Sequence, residues 1–354
     1  MKCKVFGLKS IFIGTVIGLS GIQAHAACIA IATPFGGGLG TTSNPYLVCS
    51  STHLDNVRLY GTANFKQTAN ITLPSGTFLP IPSFSGSFNG NNKKIRGFSY
   101  VTANDYVGLF EHVLPNATLT NVKLTEVEIG GAGFAGTLVG DNQGTLTGCN
   151  ADGSIGAGYR VGGLVGFNNG GTIYRSSSTV LVSGFGLVGA LVGDNYYGII
   201  RESFSAGPAS GTYWVGGLVG LNSYGTIVDS YSTGAVLSNG NYLANKIGGL
   251  VGWNQGTIQT SYSTAPAFPH GFTGALNLAM LVGQNDGTVT SSYYFRPDVL
   301  AVPTGPGTPL NRAQMGIGSN FVGFDFTTPL WKFVSINPLA PYYPQLKTPI
   351  LNWQ

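Results

Sequence analysis

The chain has 354 residues, 55 of them Gly, while Asp, Glu, Lys and Arg together make 8%, against about 25% in an ordinary soluble domain. So few charges exclude a charge-laced helical protein, and a 43% hydrophobic content excludes disorder for want of core material. The formal net charge is +4, yet no basic run exceeds Lys93-Lys94 with Arg96 close behind, which excludes a nucleic-acid or anionic-membrane footprint.

At the start of the chain, Met1-Lys2-Cys3-Lys4 and Lys9 precede an apolar run from Ile11 to Ile22 and then Ala24-His25-Ala26. A basic start, a short apolar stretch and small residues at the cleavage positions read as a secretory signal over 1–26, cut before Ala27. The run is too short to span a membrane, and no later stretch approaches the roughly 20 apolar residues a spanning helix needs. The expected location is secreted, periplasmic or at the cell surface. Loss of Lys2, Lys4 and Lys9 leaves 14 basic residues against 13 acidic, a net of +1.

Residues 27–60 read as an N-terminal cap. In an oxidising compartment Cys28 and Cys49 are the candidates for a loop-closing disulfide, worth up to about 3 kcal/mol by loop entropy. Ser51 or Thr52 is placed to N-cap a short helix in Ser51-Thr-His-Leu-Asp-Asn-Val57. Residues 61–131 read as irregular first coils of the repeat that follows, with Leu109-Phe110 in the place of its Leu-Val pair.

The repeat occupies 132–295. Leu-Val-Gly ends at Gly140, Gly166, Gly193, Gly220, Gly252 and Gly283, spaced 26, 27, 27, 32 and 31 residues apart. Two residues after each comes Asn (Asn142, Asn168, Asn195, Asn222, Asn254, Asn285), then Gly (Gly144, Gly170, Gly198, Gly225, Gly256, Gly287), then a β-branched or aliphatic stretch. Asn and Gly tolerate positive φ and are expected to mark turns between short strands. No segment keeps a 3.6-residue period, so the units are not helical. Units this short must stack on their neighbours. A propeller blade takes about 40–50 residues, so the spacing favours a parallel β-solenoid with one unit per coil.

In such a coil, equivalent residues lie over one another about 4.8 Å apart. One column reads Leu146, Ile173, Ile200, Ile227, Ile258, Val289, an interior aliphatic ladder. Three residues on, a second reads Cys149, Ser176, Ser203, Ser230, Ser261, Ser292, so Cys149 is a small buried thiol without chemistry.

The units Val161-Gly-Gly-Leu-Val-Gly-Phe-Asn168, Val215-Gly-Gly-Leu-Val-Gly-Leu-Asn222 and Ile247-Gly-Gly-Leu-Val-Gly-Trp-Asn254 resemble the GLUG-type repeat of exported bacterial proteins. That group includes filamentous-haemagglutinin-like adhesins and some IgA-specific peptidases. The flanks are similar too, in 38–48, Phe88–Ile95, Tyr106–Phe110, Phe324-Asp-Phe326 and Trp331-Lys332. The resemblance implies a right-handed parallel β-helix with N- and C-terminal caps, and a surface or secreted, virulence-associated role. It carries no enzyme over, because the His-Glu-x-x-His zinc motif is absent, as is a Leu-Pro-x-Thr-Gly anchor.

After Tyr294 the pattern stops. Pro297, Pro303, Pro306 and Pro309 lead into a tail over 296–354 rich in Phe and Trp. Exposing Phe321, Phe324, Phe326, Trp331 and Phe333 would cost about 1.5–3 kcal/mol each, so the tail is expected to fold over the last coil as a C-terminal cap.

The three His beyond the signal, His53, His112 and His270, show no metal-ligand spacing with Cys or acidic residues, and no Gly-x-Ser-x-Gly elbow occurs. No metal, cofactor or Ser-His-Asp site is expected. The position after Leu-Val-Gly reads Asp141, Phe167, Asp194, Leu221, Trp253, Gln284 and is varied enough to face outward. Asp141 and Asp194, two coils apart, would stand about 9.6 Å apart, at the upper edge of an inverting glycosidase pair. Asp before Asn in a turn also has a purely structural use in local hydrogen bonding. Tyr196, Tyr197, Tyr213, Trp214, Tyr224 and Trp253 lie in or beside the turns of three consecutive coils, where a vertical aromatic strip would suit sugar rings or a protein partner. The sequence therefore reads as an exported adhesin or interaction protein that binds an extracellular glycan or a host or bacterial surface protein along its side. The alternatives are a polysaccharide-degrading hydrolase or lyase on the same scaffold, and a purely structural cell-surface component.

Overall fold

A computed structural model describes residues 28–103, 105–131, 133–239, 246–268, 281–296, 305–327, 330–336 and 346–351. The expected signal at 1–26, His270, Pro297 and Pro303 lie outside the described residues.

The chain is nearly all-β and winds as a parallel β-solenoid. One coil runs through strands Val192–Tyr196, Ile199–Arg201, Phe204–Ser205, Ala209–Gly211 and Trp214–Gly216, and the next begins at Val219–Asn222, directly against the first, with Val192 opposite Val219. Repetition of this path builds sheets of ten, fifteen, six and eight strands. Among the described residues, antiparallel pairing is confined to the hairpin of Trp331–Ile336 with Leu346–Leu351 and to an isolated bridge between Tyr196 and Tyr224.

Period-two alternation sets the wall. Ile199 and Arg201 are exposed and Ile200 between them is buried. The aliphatic column is in register as expected from Leu146 to Val289, and it continues through Leu119, Phe88 and Phe65 to Tyr46. The first coils are irregular because rings fill the space that Leu and Ile fill later. Leu109-Phe110 does take the Leu-Val place, with Phe110 opposite Val139.

The Cys149–Ser292 column is a hydrogen-bonded spine. Each backbone N–H donates to the hydroxyl one coil on, from Cys149 to Ser176 at 3.1 Å and from Ser176 to Ser203 at 3.2 Å, through to Ser261 and Ser292. Cys149 is a free, buried thiol, and burial pushes its pKa up to about 12.

Two expectations about turns need correction. The six repeat Asn have no positive φ. They lie in the last two positions of their strands and stack inside the wall, each side-chain amide donating to the amide oxygen one coil on, at 2.7–2.8 Å, from Asn142 through to Asn285. The glycine facing this ladder in the second coil is Gly171 rather than Gly170, since Asn168 donates to the Gly171 carbonyl at 3.0 Å. The left-handed corner instead falls just before the serine spine, at Gly148, Arg175, Glu202, Asp229, Thr260 and Ser291, all with φ between 43° and 65°. Side chains are kept at this strained corner because they pair along the axis: Arg175 Nε lies 2.7 Å from Glu202 Oε2, and the Thr260 hydroxyl donates to Asp229 at 2.5 Å.

At the N-terminal end Cys28 and Cys49 are joined in a disulfide. Helix Ser51–Asn56 is N-capped by Ser50, one residue before the expected cap, and Leu54 and Val57 complete the interior core. In the tail, strand Thr308–Leu310 pairs in parallel with Tyr293–Phe295 of the last coil, and Phe321, Phe324 and Trp331 lie along the flank of the last coils. There Phe204, Tyr231 and Tyr262 stack nearly parallel, at 5.1 and 5.0 Å, and Trp331, Phe321 and Phe324 pack on Tyr231, Tyr262 and Tyr293. Among the described residues no helix is long and apolar enough to cross a membrane.

Candidate functional site

The six- and eight-stranded sheets meet at the Gly-Gly-Leu-Val corner and share one flank. Along the first runs Tyr106, Phe134, Arg160, Leu187, Trp214, Lys246. Along the second runs Ser83, His112, Asp141, Phe167, Asp194, Leu221, Trp253, Gln284. The corner holds because its glycines let two backbones touch. A methyl group on Gly216 would overlap the Val219 carbonyl oxygen and lie 2.8 Å from the amide nitrogen of Gly252 in the next coil.

The expected aromatic strip is two clusters rather than one. In the first, Trp214 and Trp253 lie with ring centroids 5.3 Å apart, Tyr213 adjoins Trp214 at 6.3 Å, and the Trp253 indole donates to Asp286 at 2.6 Å. In the second, Tyr197 meets Tyr196 at 4.7 Å and Tyr224 at 5.3 Å. Tyr196, Tyr197 and Tyr224 are 40%, 59% and 58% exposed. Tyr197 and Tyr224 also carry φ of 49° and 58°. In the coil before them the corresponding turn residue is Gly170, φ 73°, with open space around it.

Asp141 and Asp194 do not face outward as expected; they are 5% and 1% exposed. Phe167 stands in register between them, so no open gap separates the two carboxylates. The column is varied because its members pair sideways. Arg160 Nε lies 3.0 Å from Asp194 Oδ2, its guanidinium rests over the rings of Phe134 and Phe167, and the Ser223 hydroxyl donates to Asp194 Oδ1 at 2.9 Å. Burial pushes the Asp194 carboxyl up to about 6 despite Arg160 and these hydrogen bonds.

This gives a pH test. A carboxyl whose folded pKa is raised contributes most to stability when protonated, below about pH 4, and that contribution is lost as pH rises through about 6. Raising a carboxyl from its ordinary value near 4 to about 6 corresponds to about 3 kcal/mol. Urea unfolding at pH 4 and pH 7 should therefore find Asp194→Asn gaining about 2 kcal/mol on the parent across that interval, since at pH 4 the unfolded carboxyl is already partly ionised. A gap that stays constant or shrinks refutes the assignment.

His112, which has no acidic residue at metal-ligand spacing in the sequence, lies with Nδ1 3.4 Å from Asp141 Oδ2, and Gln143 donates to the same oxygen at 2.8 Å. The two residues are 29 positions apart, too far for a local motif. Their register follows from the Phe110–Val139 pairing two residues earlier. Among the described residues the one grouping of three metal-ligating side chains is Cys28, Cys49 and His53, and there the two sulfurs are bonded to each other.

Residues 211–237 match the family described as the GLUG motif. The chain is 36% identical over 139 residues to a protein of Evansella cellulosilytica provisionally named a Gly-rich membrane protein, a match covering 34% of this chain and 16% of the relative. It is 30% identical over 161 residues to Halomucin of Haloquadratum walsbyi, covering 41% of this chain and 2% of that protein. The chain thus spans less than a fifth of either relative. In fold it is similar to a crystal structure from Bacteroides ovatus, a protein provisionally assigned as an immunoglobulin A1 protease. The TM-score is 0.63 and the identity 19%, over 90% of this chain and 96% of that one, a likeness of fold alone. The chain thus carries a GLUG motif at 211–237, and a unit of the same residue pattern recurs along the solenoid wall.

Proposed function

We infer that the protein is exported and works at the cell surface or in the medium as an adhesin, holding a glycan or a surface protein against its aromatic flank. The observation that carries this reading is the backbone of Tyr197 and Tyr224. Large side chains at positive φ cost about 1 kcal/mol each, the preceding coil makes the same turn with Gly170, and both rings stand exposed. Strain retained under exposed aromatic rings points to a use for the rings. The names of the curated relatives, a membrane protein and a halomucin, are in keeping with a surface location. The Asp141–Asp194 pair supports hydrolysis less well, since both carboxylates are buried and partnered.

The test uses binding to a glycan array and to whole cells. The variants Tyr197→Gly and Tyr224→Gly relieve strain, so they should unfold within about 1 kcal/mol of the parent while binding at least about tenfold more weakly, a loss of about 1.4 kcal/mol. Trp214→Ala and Trp253→Ala should weaken binding as well. Unchanged binding in all four removes the flank as the binding site, and self-association in place of ligand binding would favour a structural component.

A further inference from the structure

Three consecutive coils put Ser83, His112 and Asp141 in one line on the flank. Ser83 is the Cα partner of His112 on the neighbouring parallel strand, and His112 is the partner of Asp141 on the next. Adjacent strands set the bases of these side chains about 4.8 Å apart.

The burial follows the order a hydrolytic triad needs. Asp141 is 5% exposed, the His112 side chain 31%, and Ser83 is exposed at the surface. Asp141 Oδ2 takes its hydrogen bond from Gln143 and faces Nδ1 of the imidazole. A carboxylate on Nδ1 fixes the tautomer that keeps the Nε2 lone pair free for a neighbouring hydroxyl. The other carboxylate oxygen, Oδ1, is buried without a hydrogen-bond partner. Beside the imidazole, the Tyr106 ring lies 4.8 Å from His112 and stacks on Phe134 at 5.0 Å. That is an apolar shelf next to the base.

We propose that Ser83, His112 and Asp141 form an acyl-transfer site that hydrolyses carboxylic esters whose acyl group rests on Tyr106. Ser83 Oγ attacks the ester carbonyl and its proton passes to His112 Nε2. The carbon–oxygen bond of the ester then breaks, and the departing alcohol takes that proton. Water attacks the acyl-Ser83 ester, giving its proton to His112, and the acid leaves as Ser83 recovers the proton. Ser83 and His112 are the catalytic residues; Asp141 and Gln143 position the imidazole.

The probe is a fluorophosphonate, which bonds its phosphorus to an activated serine oxygen and releases fluoride. Intact-mass and peptide mapping of the folded protein should find one adduct, on Ser83, absent in Ser83→Ala and unaffected by Ser85→Ala. Labelling in His112→Gln should be slower by about 100-fold or more. With p-nitrophenyl acetate, Asp141→Asn should lower kcat by about 100-fold or more with KM little changed, the mark of a lost orienting contact rather than lost binding. An unlabelled Ser83, or labelling at the parental rate in His112→Gln, overturns the proposal.

Discussion

Gly216→Ala is expected to lower the unfolding free energy by at least about 3 kcal/mol, the upper range for overpacking, and chemical denaturation measures it. The added methyl group meets backbone on both sides, the Val219 carbonyl of its own coil and the Gly252 amide of the next, and backbone cannot rotate out of the way as a side chain can. Gly170→Ala is the control. Its φ is 73°, but the added carbon would meet nothing within 4 Å, so only the left-handed conformation is penalised, by about 1 kcal/mol. A Gly216→Ala cost no larger than that of Gly170→Ala would mean that the coils can spread at the corner.

Asn195→Leu should cost about 4 kcal/mol, and Asn285→Leu distinctly less. Asn195 sits wholly buried. Its amide donates to Asn222 at 2.8 Å and to the Gly198 carbonyl at 3.1 Å, and its oxygen accepts from Asn168 at 2.7 Å. Leucine leaves all three partners unpaired out of reach of water, at about 1–3 kcal/mol each. Asn285 ends the described ladder half-buried; it accepts from Asn254 and donates to the Gly287 carbonyl, so fewer groups are stranded and water reaches them. Equal losses at the two positions would argue against a ladder whose interior rungs depend on both neighbours.

These two variants also mark how far the amino-acid order reveals the structure. The Leu-Val-Gly spacing gave coil length, and the Leu146–Val289 column gave the interior, because both rest on residues whose burial hardly depends on context. Asn and Gly were harder to read. A turn and a buried ladder use the same residue types, and what separates them is the partner one coil away, 27 positions along at Asn195 and Asn222. The left-handed corner was hidden for a related reason. Arg175 and Glu202 tolerate it by pairing with each other, a compensation that no local window contains. The aromatic residues were found from their position near the turns, but their division into a Trp214–Trp253 pair and a Tyr196–Tyr197–Tyr224 group depends on which coils they occupy. The His112–Asp141 contact was within reach. Placing Leu109-Phe110 over Leu138-Val139 and counting two further sets His112 beside Asp141, and the same 29-residue step back gives Ser83.

The Asn ladder also bears on how such a protein changes length. Between Asn142 and Asn285 each coil meets its neighbours through the same contacts, amide on amide, isoleucine on isoleucine or a close relative, and hydroxyl on backbone N–H. A duplicated coil inserted there would find its contacts already present above and below, and would lengthen the rod by about 4.8 Å without redesign of either side. Toward the N-terminus the column changes chemistry, from Asn142 to Val113 and then Phe84, and an amide rung placed against those residues would have no partner. Growth by duplication is therefore open within the repeat and closed at its junction with the first coils. Reach away from that junction becomes a quantity that can be set in steps of one coil.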